Sequence, residues 1–175
     1  IHDAVRGATK FMPMDGSTDA DETNTETLTA FNSDGFTVGT DSGINVSSGT
    51  HVAWCWKANG TGSSNTDGTI NTAATSANTT AGISIVSYTG NASSSQTVGH
   101  GLGAVPHMII SKNRDNSSSN YNDWVVYHYK NASANDKILK LNTNDAVSST
   151  YEWGDTDPTS SVYSLHTSGD GATND

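Results

Sequence analysis

The stretch "TVGHGLGAVPHMIISKN", residues 97–113, decides the fold. Glycines at 99, 101 and 103 give it a loose likeness to a phosphate-cradling loop. Such a loop leads into a helix N-terminus, where backbone amides and the helix dipole meet the anion. Here Pro106 and the apolar run "HMIISK" follow instead, with no helical pattern. The stretch therefore predicts a glycine-permitted turn, with Pro106 opening the next strand at an edge position. His100 is expected to make a local hydrogen bond within that turn.

The same reading extends outward. "GFTVG" (35–39), "HVAWCWK" (51–57), "GISIVSYTG" (82–90), "PHMIISKN" (106–113), "DWVVYHYK" (123–130), "KILKLN" (137–142) and "SVYSLH" (161–166) are short, alternating and rich in β-branched and aromatic residues. They predict strands. Polar clusters such as "ANGTGSSNTDG" (58–68) predict loops. The nearest thing to a helical segment, residues 17–31, is acidic and Thr-rich and predicts one short turn at most. The expected fold is all-β, an antiparallel β-sandwich or jelly-roll-like module with long polar loops. Residues 51–57 read as a central strand buried on both faces, with Val52, Trp54 and Trp56 on one side and Ala53 and Cys55 on the other.

Composition narrows the function classes. The formal net charge of −10 argues against nucleic acid, whose phosphates call for a basic surface, and against an anionic membrane surface. No run approaches the ~20 apolar residues of a helical membrane span. Cys55, the single cysteine, excludes an internal disulfide framework. Hydrophobic residues make up 33% of the 175-residue chain, which fits thin strands between polar loops rather than a thick core.

An internal repeat is visible. A shift of 127 residues lays "KFMPMD" (10–15) on "KILKLN" (137–142) and, without a gap, "GFTVGT" (35–40) on "VYSLHT" (162–167). Residues 1–60 then read as the C-terminal part of one β-module, 61–81 as a polar linker, and 82–175 as a second module that stops before its closing strand. A counterpart of "HVAWCWK" would begin just past residue 175, so the chain reads as a piece of a longer polypeptide. It holds no complete unit unless its two pieces pair with each other.

Chemistry-bearing motifs are sparse. The histidines show neither HxH nor HExxH spacing, and Cys55 has no cysteine partner, so a zinc site is not expected. Asp15, Asp19, Asp21 and Glu22 could together offer oxygens to Ca²⁺, but EF-hand spacing is absent and a solvated acidic loop is the better reading. No metal or other cofactor is expected. No G-x-S-x-G elbow and no distinguished carboxylate pair occurs, so no catalytic residue is assigned and the protein is read as a non-enzyme. The best contact surface is "NYNDWVVYHYK" (120–130), where Tyr121 and Tyr129 are the candidate ligand-binding residues and Trp124 reads as core.

Three stretches together resemble a repeated module of large bacteriophage structural and tail-fibre-like proteins, especially of marine phages. They are "DAVRGATKF" (3–11), "LTAFNSDGFTVGTDSGINVSSGTHVAWCWKANG" (28–60) and "GISIVSYTGNASSSQTVGHGLGAVPHMIISKNR" (82–114). One departure is His2, where that family often has an aromatic residue. The resemblance implies a virion protein in a phage tail or other surface appendage, acting in assembly and host attachment. Its expected partners are other virion proteins or copies of itself, as a homo-oligomer, and a glycan of the host surface. The alternatives are a carbohydrate-binding adhesin on a cell surface and a capsid decoration protein.

Overall fold

The computed structural model describes residues 1–14, 21–115, 123–167 and 173–174. The fold is all-β and antiparallel. In chain order the strands are β1 (Lys10–Phe11), β2 (Glu22–Thr23), β3 (Leu28–Phe31), β4 (Phe36–Val38), β5 (Ala74–Asn78), β6 (Ile83–Ser87), β7 (Gln96–Gly99), β8 (Met108–Ser111), β9 (Val125–His128), β10 (Lys137–Lys140), β11 (Ser148–Ser149) and β12 (Val162–Leu165). A four-residue helix, Ser42–Asn45, is capped by the Asp41 carboxylate, and a 3₁₀ turn spans Ala134–Asp136. No helical turn forms within 21–31, where β2 and β3 lie instead.

One four-stranded sheet, ordered β11-β10-β9-β8, carries the core; the other sheets, β12-β7, β5-β6, β3-β4 and β1-β2, are two-stranded. Val98, Val125, Tyr127, Ile138, Trp153, Tyr163 and Leu165 form the centre of the core. Trp153 meets Tyr127 edge to face at 6.0 Å and donates its indole N–H to the Lys137 carbonyl at 3.1 Å, so its one polar atom is satisfied. Strand alternation gives the four-stranded sheet a second face. Ile109, Val125 and Tyr127 turn inward, while Met108, Ile110 and Val126 share the other side. Trp124, also on that side, is buried and donates to the Pro13 carbonyl at 2.8 Å.

The two expected pieces do meet. Asp21 accepts from Arg6 at 2.9 Å through one oxygen and from Arg114 at 3.1 Å through the other, and its amide donates to the Arg114 carbonyl at 2.8 Å. Arg114 also reaches Ser87. The arginines of "VRG" and "KNR", 108 residues apart, thus converge on one carboxylate.

Three expectations are corrected. The segment 51–57 forms no strand, and every residue in it is exposed, Val52 at 83%, Trp54 at 80% and Trp56 at 67%. Its alternation suits a strand, but among the described residues no strand pairs with it. Residues 61–81 are more than a linker. They hold β5, a bridge from Ser63 to Thr75, and Ile70, which is buried against Val98. Composition concealed this because the buried Thr72 and Ser76 satisfy their hydroxyls locally. Thr72 pairs with Thr75 at 2.8 Å and receives the Asn65 amide, and Ser76 receives that of Asn59. Strands β1, β2, β3, β5, β7 and β11 are likewise absent from the sequence reading, their short length and their Thr, Ser, Gln and Gly content masking the apolar alternation.

The repeat is visible in the hydrogen bonds. Asn32 donates to the Gly35 carbonyl at 2.8 Å, and Thr159, its counterpart 127 residues on, donates to Val162 at 2.9 Å. Asn24 donates to Thr9, and Thr150 to Asp136. Lys10 pairs Thr23 across β1-β2, and Lys137 pairs Ser149 across β10-β11, one residue short of the constant shift. The described parts of residues 9–39 therefore follow the same β-arch plan as residues 136–166.

Candidate functional site

β9 ends at His128, and the chain turns at once, with the Asn131 amide donating to the His128 carbonyl at 2.9 Å. Ser133 takes the left-handed conformation at φ 54°, which starts the 3₁₀ turn into β10. This tight connection wraps Tyr129, Asn131 and Asn135 around the end of Tyr127. Val105 and Asp157 close the other side, leaving an open cleft of about 400 Å³.

The cleft is polar and hydrogen-bonding in character, with the Asp157 carboxylate in its wall. Tyr127 is buried in the core except toward Asp157, whose carboxylate lies 3.5 Å from the phenol oxygen. Burial, reinforced by that carboxylate, raises the Tyr127 phenol above its ordinary value, so it stays a protonated donor. The Asn131 side-chain nitrogen, Nδ2, is buried and has no hydrogen-bond partner among the described residues. A buried donor without a partner is costly and points to a ligand or water that completes it.

Tyr129, one of the two expected binding residues, stands at this rim, 43% exposed. Its amide donates to the His107 carbonyl at 3.0 Å, holding it beside β8. His107 stacks on its ring at 4.2 Å and 18°, and the Lys130 ammonium lies 4.7 Å from the ring centre. Tyr129 is therefore a partly exposed ring already engaged by His107, His128 and Lys130. Tyr121 lies outside the described residues. Trp124, expected as core, is buried.

The glycine loop is structural. Gly101 and Gly103 both have φ near +69°, which only glycine adopts freely, and a side chain at Gly99 would collide with the Asn65 amide. His100 is buried, receives the Leu102 amide at Nδ1 (3.2 Å) and donates from Nε2 to the Thr159 carbonyl (3.2 Å). The local bond to Leu102 was expected; the one to Thr159, across to the entry of β12, was not. Burial lowers the His100 pKa and keeps the ring neutral.

Among the acidic-loop residues, Asp15 and Asp19 lie outside the described residues. Asp21 has both oxygens on guanidinium groups, and Glu22 is exposed in β2. Among the described residues no group of three or more His, Cys, Asp or Glu side chains is placed to hold a metal ion. Asn131 and Asp157 were not singled out from sequence. "KNASAND" and "DTDP" read only as polar turns, and their convergence on Tyr127 depends on the β9–β10 connection facing the β12 entry.

The chain belongs to the DUF7483 family, a domain of unknown function, which it matches over residues 1–175. No curated protein and no solved structure matches it.

Proposed function

We propose that this domain is a non-enzymatic structural module of a bacteriophage virion, part of a tail fibre or similar appendage that serves assembly and host attachment. One observation carries the reading: the motifs that resemble phage tail-fibre-like modules are the parts that build the duplicated arch and its seat. "VRG" and "KNR" supply the two arginines on Asp21, and "FNSDGFT" makes the turn of the first arch. Repeated β-units of this kind stack into long appendages, each burying surface against its neighbours. Polar loops between the strands are free to carry recognition.

Immunogold electron microscopy of purified phage particles, with antibody against this chain, tests it. Label along or at the tip of a tail appendage is the expected result. Label on the head would replace the tail assignment by capsid decoration. Antigen on bacterial cells and none on particles would overturn the virion reading.

The cleft at Tyr127 and Tyr129 favours a second reading, a glycan-binding module on a cell surface. An aromatic rim, an unpartnered amide donor and a carboxylate acceptor suit the hydroxyls of a neutral sugar. Binding on a glycan array that falls about tenfold in Tyr129→Ala and in Asn131→Ala is the expected outcome for that reading.

A further inference from the structure

An apolar groove of about 2970 Å³ is walled by β6, β8 and the first arch. Val86 and Ile109 pack on the core, so strand alternation turns Ile85, Met108 and Ile110 to the other side, into the groove. Phe31, Phe36 and Val38 line it from the first arch. Residues 51–57 belong to the same wall, yet Val52, Trp54 and Trp56 are the most exposed large hydrophobics among the described residues. Among those residues the segment's backbone enters no backbone–backbone hydrogen bond. β6 pairs only with β5 and β8 only with β9, so each keeps an open edge. Arg114, just past β8, donates to Ser87 at the end of β6 at 2.9 Å, so the two strands run in one direction with their C-terminal ends together.

We propose that residues 51–57 are a strap, open in this structure, that closes between β6 and β8 of its own chain, antiparallel to both, with Trp54 opposite Ile85 and Cys55 opposite Ser84. The segment is already pinned at the end this requires. The Lys57 carbonyl accepts from Asn78 at 3.0 Å, the Asn59 amide donates to Ser76 at 2.8 Å, and Asn78 pairs with Ile83, the first residue of β6. A chain that runs from 51 to 57 and ends at that pin runs against β6, as antiparallel pairing demands. Ser48 and Gly60, both at positive φ, bracket the segment and mark the turns about which it swings. Side-chain size selects the register. Opposed residues of an antiparallel pair share a face, so this one lays both tryptophans over the groove and turns the small Ala53 and Cys55 to the core side. A slip of one residue would drive the tryptophans into the core already packed around Val86 and Ile109. The Ser84 hydroxyl oxygen is buried without a hydrogen-bond partner among the described residues, and closure brings the Cys55 thiol opposite it. The closed strap joins β5-β6 to β8-β9-β10-β11 as one sheet and covers two open edges that otherwise template pairing with other chains. None of this depends on the virion reading.

Cys55 is the single cysteine of the chain, so one substitution tests the register. In Ser84→Cys, diamide at low protein concentration should join Cys55 to the introduced thiol within one chain. Ile85→Cys, one residue on and on the opposite face, should cross-link roughly tenfold more slowly. Equal rates in the two variants, or links formed only between chains, would overturn the proposal. Amide hydrogen exchange of the wild-type chain tests closure without any substitution. The amides of 52–57 should exchange roughly tenfold more slowly than those of 47–50, and Trp54→Ser with Trp56→Ser should remove the difference. Exchange throughout 52–57 at the rate of unpaired chain would overturn the proposal. Protection that grows with protein concentration would overturn it too, in favour of a second copy on these edges. The wild-type measurement decides the matter if Ser84→Cys does not fold.

Discussion

The two arches follow one plan and live in different surroundings. Ile138, Tyr163 and Leu165 of the second arch are buried, whereas their counterparts Phe11, Phe36 and Val38 are half-buried or exposed. Each position is apolar in both copies. The difference lies in what stands alongside. β10 and β12 have β9 and β7 as neighbours and extend to four residues each, while β1 and β4 have only their own hairpin partners and stop at two and three. Local sequence sets the turn and its hydrogen bonds, and neighbouring strands set how far the strands run and how deeply they bury.

The comparison can be broken most severely at Trp153, set against the exposed Glu26 of the first arch. Trp153→Ala should cost about 4 kcal/mol, from a large cavity and the loss of its bond to Lys137, while Glu26→Ala should stay within about 0.5 kcal/mol. Urea unfolding of the two variants reads both numbers; equal losses would mean the arches carry equal loads.

Asp21→Ala attacks the seat of the first arch on the second unit. Arg6 is almost fully buried, with its side chain 4% exposed, and would lose one of its two carboxylate partners. Removing one member of a buried ion pair costs about 3 kcal/mol. The expected sign of this particular lesion is that residues 1–14 become protease-sensitive before the β8–β9 sheet unfolds, which limited proteolysis with mass spectrometry detects.

The smallest effect is on pH dependence. His100 ties the exit of β7 to the entry of β12, a link that the first arch has no neighbour to make. Its folded pKa is below the ordinary 6.5, so the unfolded chain binds the proton more readily. Its contribution to stability is full above pH 6.5 and declines as the pH falls from there toward the lower folded value. His100→Gln should flatten the urea midpoint over that window, and an unchanged slope would locate the titration elsewhere.

The candidate cleft was half legible. Tyr129 drew attention because an aromatic ends a strand beside polar residues. Asn131 and Asp157 did not, because they are separated in sequence and acquire meaning only when the β9–β10 turn and the β12 entry face each other around Tyr127. Likewise Asp21 reads as one acid among several, until two distant arginines close on it.

By itself the sequence determined the β class, the longer apolar strands β4, β6, β8, β9, β10 and β12, the turn at Gly101 and Gly103, and the duplication, because alternation, β-branching and glycine's freedom at positive φ act within a few residues. Only the tertiary structure decided that residues 61–81 belong to the core and that "HVAWCWK" stands unpaired in solvent. Burial and pairing belong to two segments at once. An alternating apolar run states what it can pair with, and a strand forms only where a second edge is present to receive it.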